Sequence, residues 1–260
     1  MKKTIQMKVD DNRIMRPRIV RDELRNLDLT LQPWETIQID EAQLSFASPN
    51  NITIFVSIAD RERKVAASIY EKIIASKISR KETYIFEKND LSELYNYFEH
   101  IQMSIIAIFT AIEALANVAI PDDYSIEKIN AKKIKEIWTK ESIERWSSTL
   151  DKIGDIVPEI LKIESPKNLK IWSNFKELES IRNDIIHQKT TKEKAQDMDS
   201  KLLKKLLSNK IFSQIHAGFT MIKYYCESDK SHYFFPLGFG EAKFESLKVD
   251  DVNKAFKKIN

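Results

Sequence analysis

Apolar residues recur at three- and four-residue spacing from Leu91 to Ala116, through Leu94, Phe98, Ile101, Ile105, Ile108 and Ile112. That is the period of one buried helix face. It predicts a helix that opens at Asn89-Asp90 and runs to Pro121, roughly 40 Å long at the usual rise per residue. The pattern repeats over residues 141–163, through Ile143, Trp146, Leu150, Ile153, Val157 and Ile160, with Gly154 and Pro158 placed to bend or end that helix early. Ser165-Pro166 joins a hydroxyl cap to a proline at the first helical position and predicts the start of the next helix. Residues 199–207 and 209–227 predict two more, and Asp60 predicts the cap of an earlier one reaching Ser79. A different period marks the N-terminal part. Residues 36–39, 43–46 and 52–58 alternate and predict strands, with Thr83–Phe86 a further short one.

The expected fold class is mainly α: a bundle of four long helices with a small mixed α/β region before it. The expected divisions are an Arg-rich N-terminal cap or arm over residues 1–89, a bundle over 90–228, and an aromatic loop with a short final helix from Asp250 over 229–260. Only four glycines and seven prolines in 260 residues fit long helices and exclude a turn-rich sandwich or barrel. An apolar content of 42 % supports a packed core. The net charge of +3 implies no global affinity for polyanions. A single cysteine excludes an internal disulfide and fits a reducing compartment. No apolar run approaches membrane-spanning length, so the chain reads as cytoplasmic with no membrane partner.

One residue breaks the pattern. On the helix after Ser165, the residues Ile171, Phe175, Leu178, Ile185 and Ile186 fall on one face, and Arg182 falls within about 20–30° of its centre. A guanidinium is always charged and costly to desolvate alone. Either a carboxylate pairs with it, Glu113 or Glu179 being the candidates, or the face lines a cleft or a second subunit. Asn183 and His187, four apart, share one edge of this helix. His187 can equally be a C-terminal cap facing the helix dipole.

The run Arg182-Asn183-x-x-x-His187, its apolar lead-in Phe175-x-x-Leu178-x-x-Ile181, and the upstream helix Phe109-x-x-Ile112-Glu113-x-Leu115-x-Asn117 resemble the motif helices of the HEPN superfamily of helical-bundle proteins. The likeness covers about residues 90–228. It implies a metal-independent endoribonuclease, with no cofactor, acting as a toxin or phage-defence effector under the restraint of a regulatory or antitoxin partner. Such proteins usually form homodimers through the Arg182/His187 helix, which here would build one composite cleft for RNA. The resemblance assigns His187 to proton transfer, Arg182 to the phosphate and Asn183 to hydrogen bonding, with Glu113 and Glu179 in support. The chemistry suits these groups: imidazole titrates near neutral pH, and a planar guanidinium meets the charge that develops on phosphorus.

Lys189, Lys192 and Lys194 follow His187 closely and are candidate RNA contacts, although such runs are usually solvated faces. His100 reads as solvated and His216 as a core-edge residue. No His, Cys or carboxylate pair has metal-ligand spacing on one helix. Glu241-Ala-Lys243 matches the end of the PD-(D/E)xK nuclease motif but lacks the strand context. The competing function is a non-catalytic helical interaction or nucleotide-binding module in which Arg182 forms a structural ion pair.

Overall fold

A computed structural model describes residues 4–7, 11–22, 25–80, 83–129, 133–187, 192–237 and 242–247. In chain order the strands are β1 Thr4–Met7, β2 Arg18–Asp22, β3 Leu27–Leu31, β4 Trp34–Ile39, β5 Ala42–Ala47, β6 Ser125–Ile129, β7 Lys135–Thr139 and β8 Ala242–Leu247. The helices are α1 Asn51–Ile69, α2 Ala75–Ser79, α3 Lys88–Ala119, α4 Lys140–Trp146, α5 Thr149–Asp151, α6 Val157–Leu161, α7 Trp172–Ile186, α8 Lys192–Leu207 and α9 Lys210–Ser228. Two π-turns interrupt them, Tyr70–Ile74 between α1 and α2 and Lys152–Ile156 between α5 and α6. The class is mainly α with small sheets.

The chain forms two compact units, Met1–Ile54 with Lys223–Asn260, and Phe55–Ile222. These divisions differ from boundaries at 89 and 228, because residues 55–79 are helix of the larger unit and the C-terminal segment supplies a strand to the smaller one.

In the smaller unit, β8 lies antiparallel to β1 and parallel to β2, giving the order β1-β8-β2-β3. Residues 242–247 are thus a strand rather than part of a loop, while the helix expected from Asp250 lies outside the described residues. β4 and β5 form a separate antiparallel ribbon whose two-residue turn places Asp40 at φ 51°, a left-handed conformation that Asp tolerates. Arg16 is buried and donates to three carbonyls of residues 230–236: Lys230, Phe235 (3.3 Å) and Pro236 (2.5 Å). Burial lowers its pKa, with Cys226 and Asp229 nearby acting the other way.

Residues 52–58 are helix rather than strand. Asn50 caps α1, its Oδ1 accepting from Thr53 N–H at 3.2 Å. Ile52, Val56 and Ala59 are buried at helical spacing. Asp60 is therefore mid-helix, where it pairs with Arg63 at 2.7 Å and Lys64 at 2.6 Å. Residues 83–86 carry no strand; Tyr84 and Phe86 lie beside the Lys77 ammonium instead.

The larger unit is built around α3, whose Ile101, Ile105, Ile108, Ile112 and Leu115 are fully buried. Ser104 donates to Ala59 O of α1 at 2.8 Å, and Tyr97 donates to Leu206 O at the end of α8 at 2.5 Å. Over Asp90–Ala119 this helix is, by length and composition, apolar enough to cross a membrane, with a mean hydropathy of 1.7 in its most apolar 18-residue window. The expectation of no such segment is corrected: Gln102, Ser104, Thr110, Glu113 and Asn117 interrupt the apolar runs but leave the average high. Buried residues make up 56 % of that window, as a core helix requires. A smaller cluster of Ile120, Ile143 and Ile156 packs under the β6–β7 hairpin through Ile126 and Trp138. The helix expected over 141–163 is broken into α4, α5, the second π-turn and α6. Ser165-Pro166 starts only a 3₁₀ turn, Pro166–Asn168, before α7 begins at Trp172.

Candidate functional site

α7 buries Phe175, Leu178 and Ile181. The face is rotated from the expected one, since Ile181 is its last buried residue and Ile186 is exposed. Phe175 stacks near Phe109 of α3, with ring centroids 6.4 Å apart. Gly218 of α9 sits against the same seam, where an added Cβ would lie 2.8 Å from Ile108 and 3.0 Å from Leu178. Arg182 follows Ile181 directly, so it stands at the rim of the buried face rather than at its centre.

The Arg182 guanidinium is held from several sides. Its carbon lies 5.1 Å over the Phe109 ring. Its Nη2 is 3.6 Å from Glu113 Oε2, and its Nη1 donates to Asn183 Oδ1 at 3.0 Å. Nε is buried with no hydrogen-bond partner among the described residues. The side chain stays 22 % exposed. A cation on an aromatic face contributes about 0.5–2 kcal/mol, which favours this placement over free motion in water. Asn183 and His187 are exposed. His187 ends the helix: its N–H donates to Asn183 O at 2.9 Å while its own φ and ψ, −104° and 61°, leave the helical region. The structure thus brings Arg182, Asn183 and Glu113 into contact and places His187 one turn beyond.

Glu179 lies one turn before Asn183. Burial pushes its pKa up, opposed by a hydrogen bond from the Leu150 N–H and by the Arg182 charge; Asp151 and Glu113 add to the rise. The π-turn supplies a residue that sequence reasoning missed. Lys152 is 1 % exposed, and its Nζ donates to Asn117 Oδ1 and to Glu144 O, both at 2.9 Å. Burial lowers its pKa, while Glu113 and Glu144 act to raise it. Asn117 is one turn past Glu113 on α3, so Lys152, Asn117, Glu113, Arg182 and Glu179 form a polar seam at the edge of the apolar core, in which only Lys152 is fully buried. On a helix of regular pitch Lys152 falls about 130° from the centre of the stripe of Leu150, Ile153 and Val157, so no misplaced cation marked it in the sequence.

The remaining candidates fall outside this seam. His100 is not simply solvated: its Nδ1 lies 2.6 Å from Glu62 Oε2, because this side of α3 faces α1. That contact holds Glu62 below the usual carboxylate range. His216 is exposed rather than at a core edge, and His232 stacks on Phe235 at 3.8 Å between centroids. Lys189 lies outside the described residues, and Lys192 and Lys194 fall in the first turn of α8. Glu241 also lies outside them. Among the described residues no cluster of three or more His, Cys, Asp or Glu is arranged to hold a metal.

Residues 94–210 match the sequence model of one protein family, described as the YopA C-terminal domain. The chain is similar to that domain over most of the larger unit, from α3 to the start of α9. No curated protein sequence and no solved structure matches the chain.

Proposed function

We propose that the chain is a metal-independent endoribonuclease built on a HEPN-like helical bundle, with Arg182, Asn183 and His187 at its centre. The observation that carries this reading is an arginine anchored by Phe109, Glu113 and Asn183 yet still reachable by solvent. A purely structural cation needs no open side. An anion-binding cation needs both a fixed position and an open side.

In this reading the substrate supplies the nucleophile. An imidazole takes the proton from a ribose 2′-OH, whose oxygen attacks the adjacent phosphorus. The 5′-oxygen leaves with a proton from a second imidazole, and a 2′,3′-cyclic phosphate remains. Arg182 meets the negative charge on the phosphoryl oxygens, and Asn183 keeps the guanidinium oriented. Two imidazoles come from two copies of His187 when α7 meets its counterpart in a homodimer. The exposed Ile186 beside His187 favours such a seam. Lys192 and Lys194, in the first turn of the next helix, are the candidate contacts for an RNA backbone that leaves the site. The smaller unit is the candidate for restraint or for binding a regulatory partner, as a toxin or defence effector requires.

A second reading is a non-catalytic interaction or nucleotide-binding module. The 3.6 Å approach of Glu113 to Arg182 favours it, since a carboxylate partner satisfies the charge without any ligand. Incubation of the purified chain with total RNA in EDTA separates the two. Cleavage that leaves cyclic phosphate ends, and is lost in His187→Ala and Arg182→Ala with unchanged melting, is the expected result. Intact RNA at every concentration overturns the nuclease.

A further inference from the structure

α4 ends on an open tryptophan. The sequence puts Trp146 in one apolar stripe with Ile143, yet Ile143 is fully buried and Trp146 is 65 % exposed. The cause is local: Ser147 leaves the helix at ψ 138°, so no further turn covers the indole. The Arg145 guanidinium lies over this ring, 4.9 Å from its centroid, and makes no ion pair among the described residues. An exposed indole beside an unneutralised cation offers stacking area and positive charge together. Those are the two features by which proteins hold single-stranded nucleic acid. One indole is small for a protein interface and matches one base in area and flatness.

The backbone ties this indole to the Arg182 site within the larger unit. Two residues before it, the Glu144 carbonyl accepts from Lys152 Nζ at 2.9 Å. Four residues after it, the Leu150 N–H donates to Glu179. Ser148 fixes the turn between them, its Oγ accepting from the Asp151 N–H at 3.0 Å. Four residues of chain span at most about 14 Å, and Glu179 stands one helical turn from Arg182 and Asn183. The indole therefore lies within a few nucleotides' length of the guanidinium. The nearby acids are largely answered: Glu113 faces Arg182, Glu144 lies 4.0 Å from Lys140, and burial favours the neutral form of Glu179. We propose that Trp146, with Arg145, is a stacking subsite for a base of a single-stranded RNA whose phosphate meets Arg182. The inference rests on Arg182 as a phosphate contact and not on proton transfer by His187. Stacking tolerates any base but needs one free of its neighbours, so the subsite selects single strands over duplexes.

Binding of a strand that cannot be cut tests this apart from catalysis. The full chain is titrated with a short, dye-labelled 2′-O-methyl RNA, whose blocked hydroxyl cannot attack, and with an abasic strand of the same length. Fluorescence anisotropy reads both affinities. Trp146→Leu is expected to weaken the base-bearing strand by about tenfold and to leave the abasic strand unchanged. Trp146→Phe restores most of the loss, because a smaller ring still stacks. Arg182→Ala weakens both strands, since both carry phosphates. Position 146 is exposed, so folding, checked by circular dichroism melting, is retained. Unchanged affinity in Trp146→Leu, an equal loss on the abasic strand, or no binding of the base-bearing strand by the parent chain overturns the subsite. Cleavage of unmodified RNA is scored separately. A chain that binds through Trp146 and cuts nothing keeps the subsite and loses the nuclease. A chain that cuts, with KM unchanged in Trp146→Leu, keeps the nuclease and loses the subsite.

Discussion

Lys152 and Asn117 meet at 2.9 Å inside the larger unit, a fully buried ammonium against the amide oxygen of a half-buried asparagine. The two halves of this pair are unequal. Asn117→Leu strands a buried cation with only the Glu144 carbonyl, and a cost of about 3 kcal/mol is expected. Lys152→Met leaves neutral acceptors without donors and costs about 1–2 kcal/mol. Urea unfolding of both variants reads the difference; an equal or reversed order rejects a charged Lys152.

Gly218 lets α9 pack tightly against Ile108 of α3 and Leu178 of α7. Gly218→Ala adds a methyl at 2.8 Å from the mid-chain Cγ1 of Ile108 and 3.0 Å from a terminal methyl of Leu178, both on fully buried side chains with little room to move away. Overpacking costs about 1–3 kcal/mol and the helical gain of alanine returns up to about 1. A net loss of about 1 kcal/mol in thermal unfolding is expected.

Arg182→Lys keeps the charge and loses the planar fork. A lysine cannot lie flat on Phe109 while reaching both Glu113 and Asn183. If Arg182 meets a phosphate, RNA cleavage falls by about a hundredfold while stability falls by about 1 kcal/mol or less. A structural cation gives the opposite balance, with stability lost and any RNA binding retained.

The pH response of Glu179 follows from its raised pKa. The folded chain holds this proton more tightly than the unfolded chain does. Its contribution to stability is therefore complete below about pH 4.3, the unfolded value, and is lost as pH rises through the folded value. Glu179→Gln still accepts from the Leu150 N–H and carries no charge. It is expected to raise the melting temperature at pH 7 and to lose that advantage below pH 4. Parallel melting curves at the two pH values check the sign.

Much of the larger unit is legible in the chain. The period of α3 set its ends to within two residues, and the reading of His187 as a C-terminal cap falls where α7 ends. Residues 52–58 misled because Ile52, Thr53, Ile54 and Val56 are β-branched and alternate. What decided was Asn50 as a cap and the burial of Ile52, Val56 and Ala59 on one helical face. The β6–β7 hairpin alternates just as clearly, with Ile126 and Trp138 inward, but its strands are short and lysine-rich and were passed over. Arg182 stood out because a cation in an apolar stripe is costly. Its partner Glu113 lay on a helix whose pattern was already read. Lys152 escaped because a wheel of regular pitch puts it off the apolar stripe, and the π-turn that opens at Lys152 departs from that pitch.

A π-turn is a helical loop carrying one surplus residue. The chain at Lys152–Ile156 therefore stores a register offset. Removing Asp155 would close the loop to ordinary pitch and swing everything after it by about 100° around the axis. Val157 and Pro158 would surrender their sheltered positions, and the tether from Ser165 to the Gly154 carbonyl would lose its reach. One codon thus governs which residues of this stretch are seen by the core.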